Sequence, residues 1–207
     1  MSALHRGDFQ PMRRPVKHVF LTLLLLAVAS GASLRSARPQ DNPAGKTSGG
    51  EVTPRGQRAA GDITFGEWRK LCFRAGGAQP LCRTSITGTF PTGQMAIRLD
   101  LIERAGDPAA RLQLFVPVGM YLQVPVKLKV DQGELYPVPW SWCLTNACIA
   151  ADVADPRLIG EMDAGKTLAL EVVDSSLLTV TTSLPLAQFA AARNSAPAQT
   201  LEQDIDE

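Results

Sequence analysis

Apolar and polar residues alternate at a period of two through the middle of this chain, and that pattern restricts the fold more than any other feature. Ala96-Ile-Arg-Leu-Asp-Leu-Ile-Glu103 and Thr167-Leu-Ala-Leu-Glu-Val-Val-Asp174 send every second side chain to one face, as a half-buried strand requires. Similar runs cover 83–89, 112–116, 122–130 and 177–183. Turn residues punctuate them at Pro91-Thr-Gly93, Gly106-Asp-Pro108, Pro117-Val-Gly119 and Asp131-Gln-Gly133. Short strands at this spacing predict a mainly β domain built as an antiparallel β-sandwich. Pro125 lies inside the run 122–130, which places that strand at a sheet edge or at a bulge, because proline cannot donate to a ladder. Asp155-Pro156 reads as an N-cap followed by a first-turn proline, and Gly165 falls where a C-cap glycine would sit, so one short helix is predicted over 156–164. A short C-terminal helical segment is predicted within 184–193.

The 207 residues are 45% apolar and 20% charged, which suits one modest core rather than two. Arg13, Arg14 and Lys17 precede the apolar run Val19-Phe-Leu-Thr-Leu-Leu-Leu-Leu-Ala-Val-Ala29 and a small-residue stretch ending at Ser33, the order found in a secretory signal peptide. The run falls short of the roughly 20 apolar residues that span a bilayer, so cleavage is expected, with membrane contact only through this segment beforehand. Residues 1–33 are therefore read as a signal peptide, 34–61 as a disordered linker, 62–193 as the β-domain and 194–207 as a disordered acidic tail. Loss of 1–33 removes Arg6, Arg13, Arg14 and Lys17 from the 21 basic residues and Asp8 from the 20 acidic ones, leaving 17 against 19. No local Lys/Arg cluster stands out in the remainder, so nucleic acid is not an expected partner.

Cys72, Cys82, Cys143 and Cys148 form an even set behind an export signal, which favours two disulfides over free thiols. Three pairings are open. The sequence-local one, Cys72 with Cys82 and Cys143 with Cys148, is favoured because each loop holds turn residues, Gly76-Gly77 and Thr145-Asn146. Neither spacing is the C-x-x-C of a zinc ribbon, and no metal or cofactor is expected.

The two histidines are His5 and His18, both inside the predicted signal peptide, so a matured chain has no imidazole. Ser-His-Asp, Cys-His and His-ligated zinc chemistry all need that group. Gly160-Glu-Met-Asp-Ala-Gly165-Lys166-Thr167 fits the letters of a phosphate loop, with Asp174 beyond it, but a helix precedes it and a strand follows. A phosphate loop needs the reverse order so that a helix N-terminus meets the phosphates, and no nucleotide is expected. Two carboxylate pairs, Asp100 with Glu103 and Asp152 with Asp155, leave a polysaccharide- or cell-wall-acting enzyme as the alternative. Solvated faces and helix initiation account for them more simply. Trp140 and Trp142 fall on the same side of an extended segment beside Cys143, a candidate binding surface, with core packing over a disulfide as the competing account.

Several segments stand in a fixed order along the chain: Trp68-Arg-Lys-Leu-Cys72 followed by Cys82; Leu114-Phe-Val-Pro117-Val-Gly119; Leu128-Lys-Val-Asp131; Trp142-Cys143-Leu-Thr-Asn-Ala-Cys148-Ile-Ala150; Leu158 with Gly165-Lys-Thr-Leu168; and Phe189-Ala-Ala-Ala192. As a set they resemble the invasion-associated locus B family of bacterial exported proteins. The resemblance implies a sandwich of immunoglobulin-like size, a periplasmic or envelope location, a tight Cys143–Cys148 clip and no catalytic residue. The family is named for host-cell entry, and similar members occur in free-living bacteria, so an envelope role is the first expectation and presentation to host cells a separate reading that rests on the resemblance alone. The expectation is an exported, non-enzymatic module that binds a protein or an envelope component.

Overall fold

The computed structural model describes residues 53–203; the signal-peptide segment 1–33, the linker to residue 52 and the last four residues lie outside them. In chain order the strands are β1 Gly56–Ala59, β2 Thr64–Phe65, β3 Arg69–Ala75, β4 Leu81–Thr89, β5 Met95–Arg104, β6 Arg111–Pro117 and β7 Val126–Val130. There follow β8 Leu135–Val138, β9 Trp140–Cys143, β10 Ala147–Val153, helix α1 Pro156–Ala164, β11 Thr167–Val173, β12 Leu178–Pro185, helix α2 Phe189–Asn194 and β13 Gln199–Gln203. Two sheets result: a five-stranded one ordered β1-β12-β11-β7-β8, and an eight-stranded one ordered β13-β3-β4-β5-β6-β10-β9 with β2 paired to β4. No helix among the described residues is long and apolar enough to cross a membrane.

The alternation explains how the sheets face each other. Leu99, Leu101, Leu112 and Leu114 of the larger sheet and Leu128, Leu168 and Leu170 of the smaller belong to one buried cluster. Full burial of each such side chain contributes about 1.5–3 kcal/mol, and this contact makes the chain a mainly β sandwich. Trp68 joins it from just before β3, edge-on to Phe189 at 4.8 Å between ring centroids, with its indole N–H donating to the Pro185 carbonyl at 2.7 Å. Phe189 thereby closes the core from α2.

Helix α1 has the predicted bounds, and the Asp155 side chain caps it by accepting from the Arg157 N–H at 2.8 Å. Gly165 is the C-cap residue, as read from the sequence, though not in the left-handed conformation common at helix ends. Its φ is −81°, and glycine is required there because a Cβ would run into Val130 Cγ1 and stand 2.8 Å from the Glu161 carbonyl oxygen. Pro125 differs from expectation. Strand β7 begins one residue later, at Val126, and runs inside the sheet between β11 and β8, so the proline sits outside the ladder. The strand proline is Pro137, in the edge strand β8, where a missing N–H is tolerated.

Two domain boundaries also need correction. Gly56–Ala59, placed in the linker by composition, pairs with β12, and Gln199–Gln203, placed in the tail, pairs with β3. Both pairings are parallel, so the sandwich is not purely antiparallel. Each strand comes from an end of the domain, and the long intervening chain supplies the crossover that parallel pairing needs. All four β1 residues are exposed. An edge strand of this kind is held by its backbone, which leaves no hydrophobic signature to read.

Candidate binding face

Neighbouring strands in register present matching rows of side chains to the outside of the eight-stranded sheet. One row reads Thr87, Arg98, Phe115, Ile149 and Trp142; the next reads Arg69, Ser85, Asp100, Gln113 and Ala151; a third reads Leu71, Arg83, Ile102, Arg111 and Val153. Arg104 lies in the following row, opposite Leu81. Five arginines, 69, 83, 98, 104 and 111, thus share a face with a single strand carboxylate, Asp100. Phe73, Trp142, Val153 and Leu201 add exposed apolar surface to the same sheet. The outer face of the smaller sheet is different: Lys127, Lys129, Glu171, Thr179 and Thr181 give it ordinary solvated character.

Asp100 organises the centre of the arginine face. Its side chain is 1% exposed although it points away from the core, because arginines cover it. Arg98 Nε donates to Oδ1 at 2.8 Å, Arg98 Nη2 also bonds Oδ2, and Arg83 Nη1 lies 4.0 Å from Oδ2. The Arg98 guanidinium sits 4.8 Å above the Phe115 ring. Its pKa is held above the ordinary arginine value, chiefly by the hydrogen bonds to Asp100, so the charge on this face is permanent. A solvated-face reading of Asp100 is therefore incorrect: the carboxylate is enclosed and ion-paired. Glu103 and Asp163 both accept from Arg193, at 2.8 and 2.7 Å. Asp155 is engaged as the helix cap, and Asp152 accepts from the Val153 N–H.

The two tryptophans do not share a side. A bulge between Ile149 and Ala150 sets Trp142 opposite Ile149 and Trp140 opposite Ala150, adding one residue to β9 between them. One extra residue reverses the facing of everything beyond it. Trp140 turns inward against the core and donates its indole N–H to the Val124 carbonyl at 2.8 Å. Trp142 stays outside, 46% exposed, at the end of the row carrying Phe115 and Arg98.

Cys72 is bonded to Cys82 and Cys143 to Cys148, each between directly opposed residues of adjacent antiparallel strands. Both staples lie in the larger sheet, and the second fixes the hairpin that presents Trp142. The phosphate-loop look-alike is occupied by its own chain: Lys166 N, Thr167 N and Thr167 Oγ1 donate to the Asp131 carboxylate at 2.9–3.0 Å. Those bonds, the Lys166 N–H foremost, hold Asp131 below the ordinary carboxylate range. Asp174 likewise accepts from Ser176 N, Leu178 N and Arg58 in the turn joining β11 to β12. Among the described residues no cluster of three His, Cys, Asp or Glu side chains is placed to hold a metal.

The arginines are spread over more than forty positions, so no local run betrays them; strand pairing alone assembles the face. The parity of each run was the one available signal, and it becomes legible only once the register is known.

Compared with known proteins, residues 68–197 match the family model described as Invasion associated locus B (IalB) protein. Among solved structures the chain is similar to invasion associated protein B from Bartonella henselae. The TM-score is 0.56 at 22% identity, and the match covers 63% of this chain and 90% of that one. Curated proteins gave no match.

Proposed function

The chain belongs to the invasion associated locus B family, and from that premise we propose that it is an exported, non-enzymatic module that binds a partner protein of the cell envelope through the outer face of its eight-stranded sheet. The observation that carries this reading is the composition of that face. Arginine and aromatic residues are concentrated on it and carboxylates are nearly excluded, the bias that distinguishes protein interfaces from ordinary surface. Leu71, Ile102 and Val153 alternate with the arginines, which suits a mixed protein surface; the chain's near-neutral charge balance is unlike the strongly basic domains that meet a phosphate backbone. Acidic side chains on the partner would complete the arginines not already matched by Asp100.

Two disulfides support residence in an oxidising compartment, the periplasm or outer envelope. The non-enzymatic reading is supported by the carboxylates, since Asp100, Glu103, Asp155 and Asp163 each serve an arginine or a helix end, and by the absence of histidine from 53–203.

The test compares the two outer faces by charge reversal. The full chain carrying Arg69→Glu and Arg111→Glu is used to capture partners from native envelope extract beside one carrying Lys127→Glu and Lys129→Glu. Selective loss of a reproducible partner in the arginine variant is the expected result. Equal capture by both variants would remove the face from consideration.

A further inference from the structure

Between the two sheets, on the side where β1 closes the smaller one, the core is incompletely filled. An apolar cleft of about 230 Å³ opens there, lined by Val116 from one sheet and Leu170 and Val180 from the other, together with Ile63, Phe90 and Met120. Its origin is compositional. Large side chains normally interdigitate between sheets at close-packed density, but here the facing positions are occupied by Ala60, Gly61, Ala96 and Thr182, and a Cβ built on Gly61 would meet nothing within 4 Å. An apolar cavity of roughly 150 Å³ already admits the six carbons of benzene, and this cleft, about half as large again, has room on that scale for about nine carbons.

Its polar fittings are few and placed asymmetrically. Thr182 and, on β1, the half-exposed Arg58 are the polar residues among its lining. Among the described residues Arg58 is held by a single side-chain bond, Nη2 to Asp174 Oδ2 at 3.1 Å, and its side chain is 50% exposed. A cation in the lining of an otherwise apolar slot is complementary to a hydrocarbon tail that ends in an anion.

We propose that this cleft binds the tail of a medium-chain, single-chain acyl amphiphile with an anionic headgroup, the headgroup pairing with Arg58. The site is independent of the arginine face on the opposite side of the larger sheet. Segment 56–63, which supplies Arg58, Ala60, Gly61 and Ile63, forms one wall.

The probes are decanoate and decanol, each titrated below its aggregation concentration into the full chain by calorimetry. Decanoate should saturate at one equivalent. Ala60→Phe, which fills the slot, should weaken binding of both probes at least about tenfold, whereas Arg58→Gln should weaken decanoate several-fold and leave decanol unchanged. No saturable binding to the folded wild-type chain, or decanoate affinity indifferent to Ala60→Phe, overturns the proposal; equal loss of both probes in Arg58→Gln overturns the assigned headgroup contact. If Ala60→Phe does not fold, the methyl carbon of Met120 in the wild-type chain decides. A decanoate-dependent shift at Met120 with Met162 unmoved supports the cleft, and a stationary Met120 at saturation rejects it.

Discussion

Trp140 and Trp142, two residues apart in β9, lie on opposite faces of the eight-stranded sheet because a bulge opposite Ala150 adds a residue between them. One indole is anchored inside by the Val124 carbonyl and the other stands in solvent. Trp140→Ala should therefore cost about 2–3 kcal/mol, from lost packing and an orphaned carbonyl, whereas Trp142→Ala should change stability by less than about 0.5 kcal/mol. Urea denaturation of the two variants measures this, and acrylamide should quench the fluorescence of Trp142 more strongly than that of Trp140.

Asp131 ties the end of β7 to the connection between α1 and β11 through three hydrogen bonds that favour its ionised form. Its folded-state pKa lies below the unfolded value of about 3.9. The stability it contributes is present in full above that value and is lost as pH falls through the lowered folded-state value. Asp131→Asn should thus be less stable than wild type at pH 7, and the difference should narrow below about pH 4 as the wild-type carboxylate is protonated. Denaturation midpoints of the pair at pH 7, 5, 4 and 3 provide the check; a constant gap would place the effect in shape rather than charge.

The main strands and α1 were legible because each carries a periodic or capping signal tied to the core: 83–89, 96–103 and 112–116 correspond to β4, β5 and β6 within a few residues. Strands β3 and β10 were not read as strands, and β8 and β9 were read only as one extended segment around Trp140 and Trp142. Strand β10 reads Ala-Cys-Ile-Ala-Ala-Asp-Val, buried along most of its length, so no alternation marks it. Proline and the bulge broke the pattern in β8 and β9. The bulge is also why the tryptophans were placed on one side, since a one-residue insertion is a tertiary event with no local motif. The arginine face depended on register, which long-range pairing sets.

The edge strands β1 and β13 cover backbone groups of β12 and β3 that would otherwise face solvent. A chain cut to 62–193, the span that hydrophobicity alone suggests, should therefore lose stability and self-associate through the two bared edges. A chain of 53–203 should stay monomeric at the same concentrations. Light scattering after size exclusion, with thermal unfolding of both, distinguishes them. Identical behaviour would show that backbone pairing at these ends is dispensable.

Replacing Cys72 and Cys82 together by alanine should cost about 3 kcal/mol, and replacing Cys143 and Cys148 about 2 kcal/mol, following the longer and shorter loops closed across ten and five residues of sequence. The second pair should also loosen the hairpin that carries Trp142, measured as faster amide exchange in 140–149. A loss confined to stability, with unchanged exchange there, would assign the clip no part in shaping the face.

Because each staple joins strands that follow one another directly, neither has to wait for a distant part of the chain. In a polypeptide that emerges N-terminus first, from a ribosome or through a membrane channel, Cys82 meets Cys72 as soon as their hairpin is out, and Cys148 meets Cys143 five residues after it appears. Oxidation can keep pace with emergence, in chain order, and the partner of each thiol is always the nearest one available. Mispairing would require the first hairpin to remain reduced until the second arrives.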